Sequence, residues 1–252
     1  MMLGAVTYNV LKDWDVETII QKLQEAGYEA VELRTGHRHL VEPGITEPER
    51  ERVKALFERS KVRLLSFGST CEFQSPDEEV RRKNIEAAKT FINLAHDTGA
   101  WGLKVRPNGL PKDVPVETTV GRIAECLREV GKYGAGRGVE IWMEVHGAGT
   151  QNPPVSAAIM RATKHESVGL CWNSNPTDVV NGSVKASFDL LRPWVRNVHI
   201  NELTSNYPWK ELFTLFKKSN YERYMLCEAP ESKEPERFLR YYRALWMALS
   251  SD

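Results

Sequence analysis

Glu144, Asn173, His199 and Glu228 each stand at the end of a short apolar run. Glu144 closes Val139–Met143, Asn173 follows Val168–Trp172, His199 follows Val195–Val198, and Glu228 follows Tyr224–Cys227. They are spaced roughly 30 residues apart, the length of one strand-plus-helix unit in an eight-fold barrel of about 250 residues. Polar groups at the carboxyl ends of successive barrel strands converge on one point. Two carboxylates, an imidazole and a side-chain amide meeting there make an oxygen-rich site for a divalent metal. Such an ion acidifies the C–H between a carbonyl and its neighbouring hydroxyl. A carboxylate on each face can then remove and return that proton, so Glu144 and Glu228 are the candidate catalytic pair.

That convergence requires elements in a set order, and the chain supplies them. Strand-like runs occur at Leu3–Tyr8, Ala30–Leu33, Val62–Phe67, Gly102–Arg106, Val139–Met143, Val168–Trp172, Val195–Ile200 and Tyr224–Cys227. Amphipathic segments lie between and after them, at about 15–26, 47–59, 77–98, 116–135, 154–163, 183–191, 207–218 and 234–249. Eight β units alternating with eight α units predict an α/β fold with a parallel sheet, read as one (β/α)8 barrel over residues 1–252. Asp15 is placed to cap the first helix, Thr46 with Glu49 reads as a capping box, and Ser75-Pro76-Asp77 starts the third helix. Gly27, Gly99 and Gly136 fall where helices should stop. An open doubly wound sheet is the structural alternative. It usually carries a phosphate-binding glycine motif after its first strand, where this chain has Tyr8-Asn9-Val10-Leu11.

Bulk properties narrow the partners. The 252 residues are 41% hydrophobic, enough for one sizeable core, and Lys plus Arg equals Asp plus Glu at 34 each. A neutral chain has no sequence-wide attraction for nucleic acid or anionic lipid, so neither is expected as a partner. The first residues, MMLGAVTYNV, lack a basic start, an apolar core and a small-residue cleavage pattern. No signal peptide is expected, and no apolar stretch is long enough for a membrane span. Cys71, Cys126, Cys171 and Cys227 lie far apart without a CxxC pair. They are expected to be reduced, as in a cytoplasmic protein. The aromatic-rich segment Phe238–Trp246 offers a contact surface for a homo-oligomer.

Strand alternation assigns directions. In the fifth strand Val139, Ile141 and Met143 share the side the outer helices need, so Glu140, Trp142 and Glu144 point into the barrel. The same parity groups Asn173 with Cys171 and Gly169, His199 with Asn197 and Val195, and Glu228 with Leu226 and Tyr224. Lys104 and Arg106 alternate on the fourth strand, opposite Leu103 and Val105. Two inward cations can hold a substrate carboxylate or phosphate, or can neutralise Glu32 and Glu144 in the wall. A Schiff-base Lys104 is the sharper alternative. Glu32, Arg34, His37 and His39 form another charged cluster at the mouth. His37 and His39 at i, i+2 could bind metal, but no carboxylate is arranged around them. The cluster therefore reads as substrate contacts, with Glu32 and His39 the candidates, or as a solvated loop. His146, two residues past Glu144, either contacts substrate or orients a ligand. Glu72 and Phe73 follow the third strand and are placed to shape the pocket. Trp172 is sent outward by its parity.

The segments Val31-Glu32-Leu33-Arg34, Leu94–Ala100, Lys104–Asn108, Glu144-Val145-His146, Gly169–Asn173, Val198-His199-Ile200 and Leu226–Ala229 resemble the xylose isomerase-like TIM barrels. This is the broad superfamily of sugar isomerases and epimerases, which also contains apurinic-site endonucleases. The resemblance implies one divalent ion, manganese, magnesium, cobalt or zinc, held by Glu144, His199 and Glu228 with the strand-six residue. Asn173 stands where the family usually has Asp, which leaves two formal negative charges among the ligands and predicts weaker binding. Ketose 3-epimerases of the superfamily carry a His, an Arg and a second Glu where this chain has Pro176, Ser205 and Thr150. A ketohexose epimerase is therefore not expected.

The expectation is a metal-dependent isomerase or epimerase of a small, carbohydrate-like carbonyl compound. A dehydratase of a sugar acid or inosose can run on the same site. A non-catalytic binder on an isomerase scaffold is the competing class, favoured by the changes at 173, 176, 205 and 150. Abasic-site repair needs a histidine-rich three-zinc centre, and six histidines with zero net charge argue against it.

Overall fold

A parallel strand with a helix outside and other strands' side chains inside is buried on both faces. The chain meets that demand by alternating two apolar sets along each strand. The computed structural model describes residues 1–251, which form a closed barrel of eight parallel strands with eight α-helices around it. The strands are β1 (Met2–Val6), β2 (Ala30–Arg34), β3 (Arg63–Glu72), β4 (Gly102–Arg106), β5 (Glu140–Glu144), β6 (Val168–Trp172), β7 (Val195–Ile200) and β8 (Tyr224–Cys227). The helices are α1 (Val16–Ala26), α2 (Glu47–Glu58), α3 (Glu78–Thr98), α4 (Val116–Ala135), α5 (Pro153–Thr163), α6 (Lys185–Leu191), α7 (Trp209–Lys218) and α8 (Pro235–Ser250). Neighbours pair in sequence order, and β8 closes on β1 with Met2 opposite Tyr224 and Ala5 opposite Cys227. Among the described residues no helix is long and apolar enough to cross a membrane.

The expected element order holds throughout. Asp15 Oδ1 accepts from the Thr18 N–H, Glu49 accepts from the Thr46 N–H and hydroxyl, and Asp77 accepts from the N–H groups of Glu79 and Val80. The largest difference is β3, which runs on to Glu72 through Ser66, Gly68, Ser69 and Thr70. Those small polar residues interrupt the apolar run, yet pairing resumes at Glu72 opposite Arg106 after a register shift. The extension carries Glu72 to the mouth.

Two cores result. Leu33, Leu103, Ile141, Met143, Leu170, Val198 and Met225 pack outward against the helices. Trp172 joins them, with its ring 6.3 Å from those of Phe188 and Phe216. Inside the barrel Val6, Ala30, Leu65, Trp142, Cys171, Tyr224 and Leu226 form a second cluster. Below it, Glu140 Oε2 accepts from Trp142 Nε1 and Arg223 Nη2 at 2.6 Å each, and Arg196 Nη1 lies 3.0 Å from Oε1. This ion cluster closes the amino-terminal end. The opposite end holds the polar side chains.

Trp142 fits inside because Gly102 leaves room on the adjacent strand. A Cβ on Gly102 would lie 2.6–2.7 Å from three carbons of the indole. Gly102→Ala should therefore overpack the barrel and cost about 1–3 kcal/mol. Trp142→Ala should cost about 3–5 kcal/mol by opening a cavity. In the double variant the added methyl enters the vacated space, so its total cost in denaturant titrations should be smaller than the sum. Additive costs would mean that the two side chains do not share that space.

Candidate metal centre

Strand parity brings Glu144, His199 and Glu228 to the carboxyl-terminal mouth. Each offers one ligand-type atom, and the three atoms lie within 4.8 Å of one another. His199 Nδ1 is 3.3 Å from Glu228 Oε2 and 3.7 Å from Glu144 Oε1. Asn173 shares the wall of a 370 Å³ cavity with Glu144 and Glu228, and His146, Asn201, Glu202 and Tyr8 complete much of the lining.

These residues fit a divalent cation. Both ring nitrogens of His199 and the Oδ1 of Asn173 are buried without a hydrogen-bond partner in the protein. Buried polar atoms are seldom left unpaired, and here His199 Nδ1 stands beside two carboxylates while Asn173 lines the same cavity as they do. One imidazole nitrogen with carboxylate and amide oxygens is a suitable donor set for such an ion. On the far side of the ring, Nε2 lies 3.4 Å from Glu32 Oε1. A carboxylate behind a ligating histidine orients the ring and favours a proton on the rear nitrogen, leaving Nδ1 for the ion.

Charge is balanced locally. Lys104 Nζ donates to Glu144 Oε2 at 2.8 Å, and both side chains are almost fully buried. Burial alone would raise the pKa of Glu144, but Lys104 and then His199 outweigh it and hold the carboxyl well below its usual range. Burial lowers the pKa of Lys104, yet Glu144, Glu32 and Glu228 more than restore it. For His199, burial is outweighed by the facing carboxylates Glu228 and Glu32, and its pKa sits well above the ordinary value. Burial pushes the Cys171 thiol up to about 11, so it stays neutral.

Of the five side chains expected at a substrate, His146 lines the cavity. The structure places the other four elsewhere, each for a local reason. Lys104 is committed to Glu144 in the wall. Arg106 pairs with Glu72 at 2.6 Å on the rim. Glu32 is sealed behind His199, where Ser66 Oγ donates to its Oε2 at 2.8 Å. His39 is used by the backbone: Nε2 lies 2.9 Å from the Arg34 carbonyl, and Nδ1 accepts from the Val41 N–H at 3.0 Å. Tyr8, Asn9, Asn201 and Glu202 were not singled out from the sequence, although they line the cavity. They follow strand ends within three residues, the one signal that would have found them.

The turn after β6 is tied to its neighbours, which holds Asn173 in place. Ser174 Oγ donates to the His199 carbonyl at 2.9 Å, and Asn175 Nδ2 to the Val145 carbonyl at 2.6 Å. Asp178 Oδ2 accepts from the Asn175 N–H at 2.7 Å and from the Tyr207 hydroxyl at 3.0 Å. Burial raises the Asp178 carboxyl to about 7 against the partial relief of those two bonds.

Comparison with known proteins places this geometry. Residues 20–245 match the family model described as xylose isomerase-like TIM barrel. A fructoselysine 3-epimerase from Shigella flexneri is 22% identical over 134 residues, covering 51% of this chain and 49% of that protein. The matched segment thus spans about half the length of the curated relative. Among solved structures, D-psicose 3-epimerase with D-tagatose from Clostridium cellulolyticum H10 superposes with a TM-score of 0.85 at 14% identity, covering 100% of both chains. The IOLI protein, described with a binding zinc atom, superposes with a TM-score of 0.84 at 14% identity over 100% of this chain and 98% of that one. At these identities the structural likeness speaks for the fold.

Asp178 gives this region a pH signature. Its folded pKa lies above the ordinary aspartate value of 3.8, so between about pH 4 and 7 the native state keeps a proton that the unfolded chain releases. Its contribution to stability is therefore fully present below pH 4 and declines as pH rises to 7. Asp178→Asn should flatten that decline relative to wild type in denaturant titrations across this window. Parallel curves for the two proteins would show that Asp178 is not held protonated.

Proposed function

Because the chain belongs to the xylose isomerase-like TIM barrel family, we propose that it is a divalent-metal-dependent isomerase or epimerase of a small polyhydroxylated carbonyl compound. The observation that carries this reading is the meeting of Glu144, His199 and Glu228 within 4.8 Å, beside buried nitrogen and oxygen atoms that no protein group satisfies. Glu144, His199, Glu228 and Asn173 would hold the ion. The ion would supply Lewis-acid polarisation of a carbonyl and its adjacent hydroxyl. The fructoselysine 3-epimerase relative supports a carbohydrate-like substrate, and the amide and carboxylate lining suits hydroxyl groups.

The protein's own groups have distinct tasks. Glu144 and Glu228 flank the position a reacting carbon would take and exchange its proton. Lys104 keeps Glu144 ionised, so that carboxylate accepts a proton only when its ion pair is disturbed. Glu228 reaches further into the cavity, with 17% of its side chain exposed against 4% for Glu144. Glu32 positions His199 from behind. Thr150 is turned away and donates to the His146 carbonyl at 2.6 Å, while Ser205 Oγ lies 3.2 Å from Trp209 Nε1. Both are outside the cavity lining, in line with a substrate other than a ketohexose.

Metal binding provides one test. An ion at His199 Nδ1 competes with the ring proton, so binding should release about one proton and tighten as pH rises. Asn173→Asp adds a negative charge to the donor set and should tighten manganese or magnesium binding by about tenfold, or about 1.4 kcal/mol. Calorimetric titration in buffers of different ionisation enthalpy reads both quantities. Equal or weaker affinity in the Asp variant would remove Asn173 from the ligand set.

Isotope exchange provides the other. Candidate ketoses, hydroxypyruvate-like acids and inososes are incubated with the metal-loaded protein in deuterated water. Deuterium should appear at carbon with the wild type and fall at least about a hundredfold in Glu144→Gln and in Glu228→Gln, the usual scale for a positioned acid or base. Undiminished exchange in both variants would show that the bases are other groups. Absence of exchange with every candidate, in a protein that demonstrably holds metal, would count against the isomerase reading.

A further inference from the structure

A chain of polar contacts runs along the rim to the one histidine that lines the cavity without belonging to the ligand cluster. Arg106 Nη2 and Asn108 Nδ2 both donate to Glu72 Oε1 at 2.6 Å. Asn108 Oδ1 is 3.0 Å from His146 Nδ1. The direction of this chain follows from the groups themselves. The Glu72 carboxylate, paired with a guanidinium, only accepts. The amide of Asn108 must therefore turn its NH2 towards Glu72, because its oxygen there would set two acceptors against each other. That leaves Oδ1 facing His146. An amide oxygen cannot donate, so Nδ1 of the ring carries the proton. A neutral imidazole has one N–H, and Nε2 is left as a bare acceptor.

The backbone builds this contact independently of any ligand. Gly147, next to His146, has φ +90°, and a Cβ there would lie 2.5–2.6 Å from the carbonyl carbon and Cα of Asn108. Only glycine allows the loops after β4 and β5 to meet so closely. The Leu110 N–H donates to the Ala148 carbonyl at 2.9 Å across the same junction, and Thr150 Oγ1 anchors the His146 carbonyl. Asn108 takes a left-handed conformation, φ 56°, which asparagine tolerates better than most residues.

We propose that Arg106, Glu72 and Asn108 are positioning residues that fix His146 as its Nδ1–H tautomer, so that Nε2 is a standing hydrogen-bond acceptor for a donor on the ligand. Under the isomerase reading, on which this last identification rests, the donor is a substrate hydroxyl beside the reacting carbonyl. The arrangement selects for a hydroxyl or an amine at that place. It disfavours a carbonyl or ether oxygen, which would meet Nε2 acceptor to acceptor.

The tautomer is read directly by long-range proton–nitrogen correlation spectra of the full-length, histidine-labelled protein without substrate. Wild type should show His146 with Nδ1 protonated and Nε2 bare. Asn108→Gly keeps the left-handed backbone and removes the amide. Its spectrum should lose the fixed pattern in favour of the Nε2–H form that free imidazole side chains prefer. A wild-type ring protonated at Nε2, or an unchanged tautomer in Asn108→Gly, would overturn the proposal, and the wild-type spectrum decides even if the variant does not fold. The two readings fail separately. A wild-type protein with the fixed tautomer but no isotope exchange loses the isomerase assignment and keeps the relay, and the reverse result does the opposite.

Discussion

Three carboxylates, Glu32, Glu144 and Glu228, approach one imidazole at the mouth of the barrel, the first fully and the second almost fully out of water. Like charges buried together repel, and a buried ion without a partner costs several kcal/mol. Lys104 answers one of them at 2.8 Å, and His199 stands between all three. Much of the remaining architecture serves this balance. The wall around Lys104 is closed by neighbouring strands, so the ion pair keeps its strength. The carboxylates that remain near His199, with the unsatisfied oxygen of Asn173, have the composition of a cation site.

The scaffold makes that crowding tolerable by placing it at one end. Trp142, fitted against Gly102, and the cluster of Glu140 with Arg196 and Arg223 close the amino-terminal half of the barrel. Water and ligands therefore reach the polar ring from the carboxyl-terminal side. There the loops are cross-tied: Ser174 to His199, Asn175 to Val145, and the loops after β4 and β5 through Gly147. These ties hold the side chains in position before anything binds, which is how a site lowers the cost of organising a reaction.

The two histidines at the mouth illustrate how neighbours divide similar groups into different tasks. His199 has a carboxylate behind Nε2 and turns Nδ1 to the cluster. His146 has an amide oxygen at Nδ1 and leaves Nε2 free. On the proposed reading, one would ligate and the other would accept a hydrogen bond. The side chains are the same, and only their partners differ.

Eight strand-and-helix units, their order, and the inward direction of Glu144, Asn173, His199 and Glu228 were legible in the chain, because they follow from local periodicity and the two-residue repeat of a strand. Local rules also found the Asp15 cap, the start of the third helix at Ser75-Pro76-Asp77 and the outward turn of Trp172. They could not assign Glu32, Lys104, Arg106 and His39, which read equally well as substrate contacts. Their partners lie across strands or in loops, and register shifts between Val31 and Glu32 and between Gly68 and Glu72 decide who meets whom. The extension of β3 was hidden by its small polar residues, and without it Glu72 does not reach Arg106 or Asn108. Sequence alone determined which residues point to the barrel axis, since direction depends on immediate neighbours. Tertiary structure decided which of them touch, because a contact depends on the register and loop path of segments far apart in the chain.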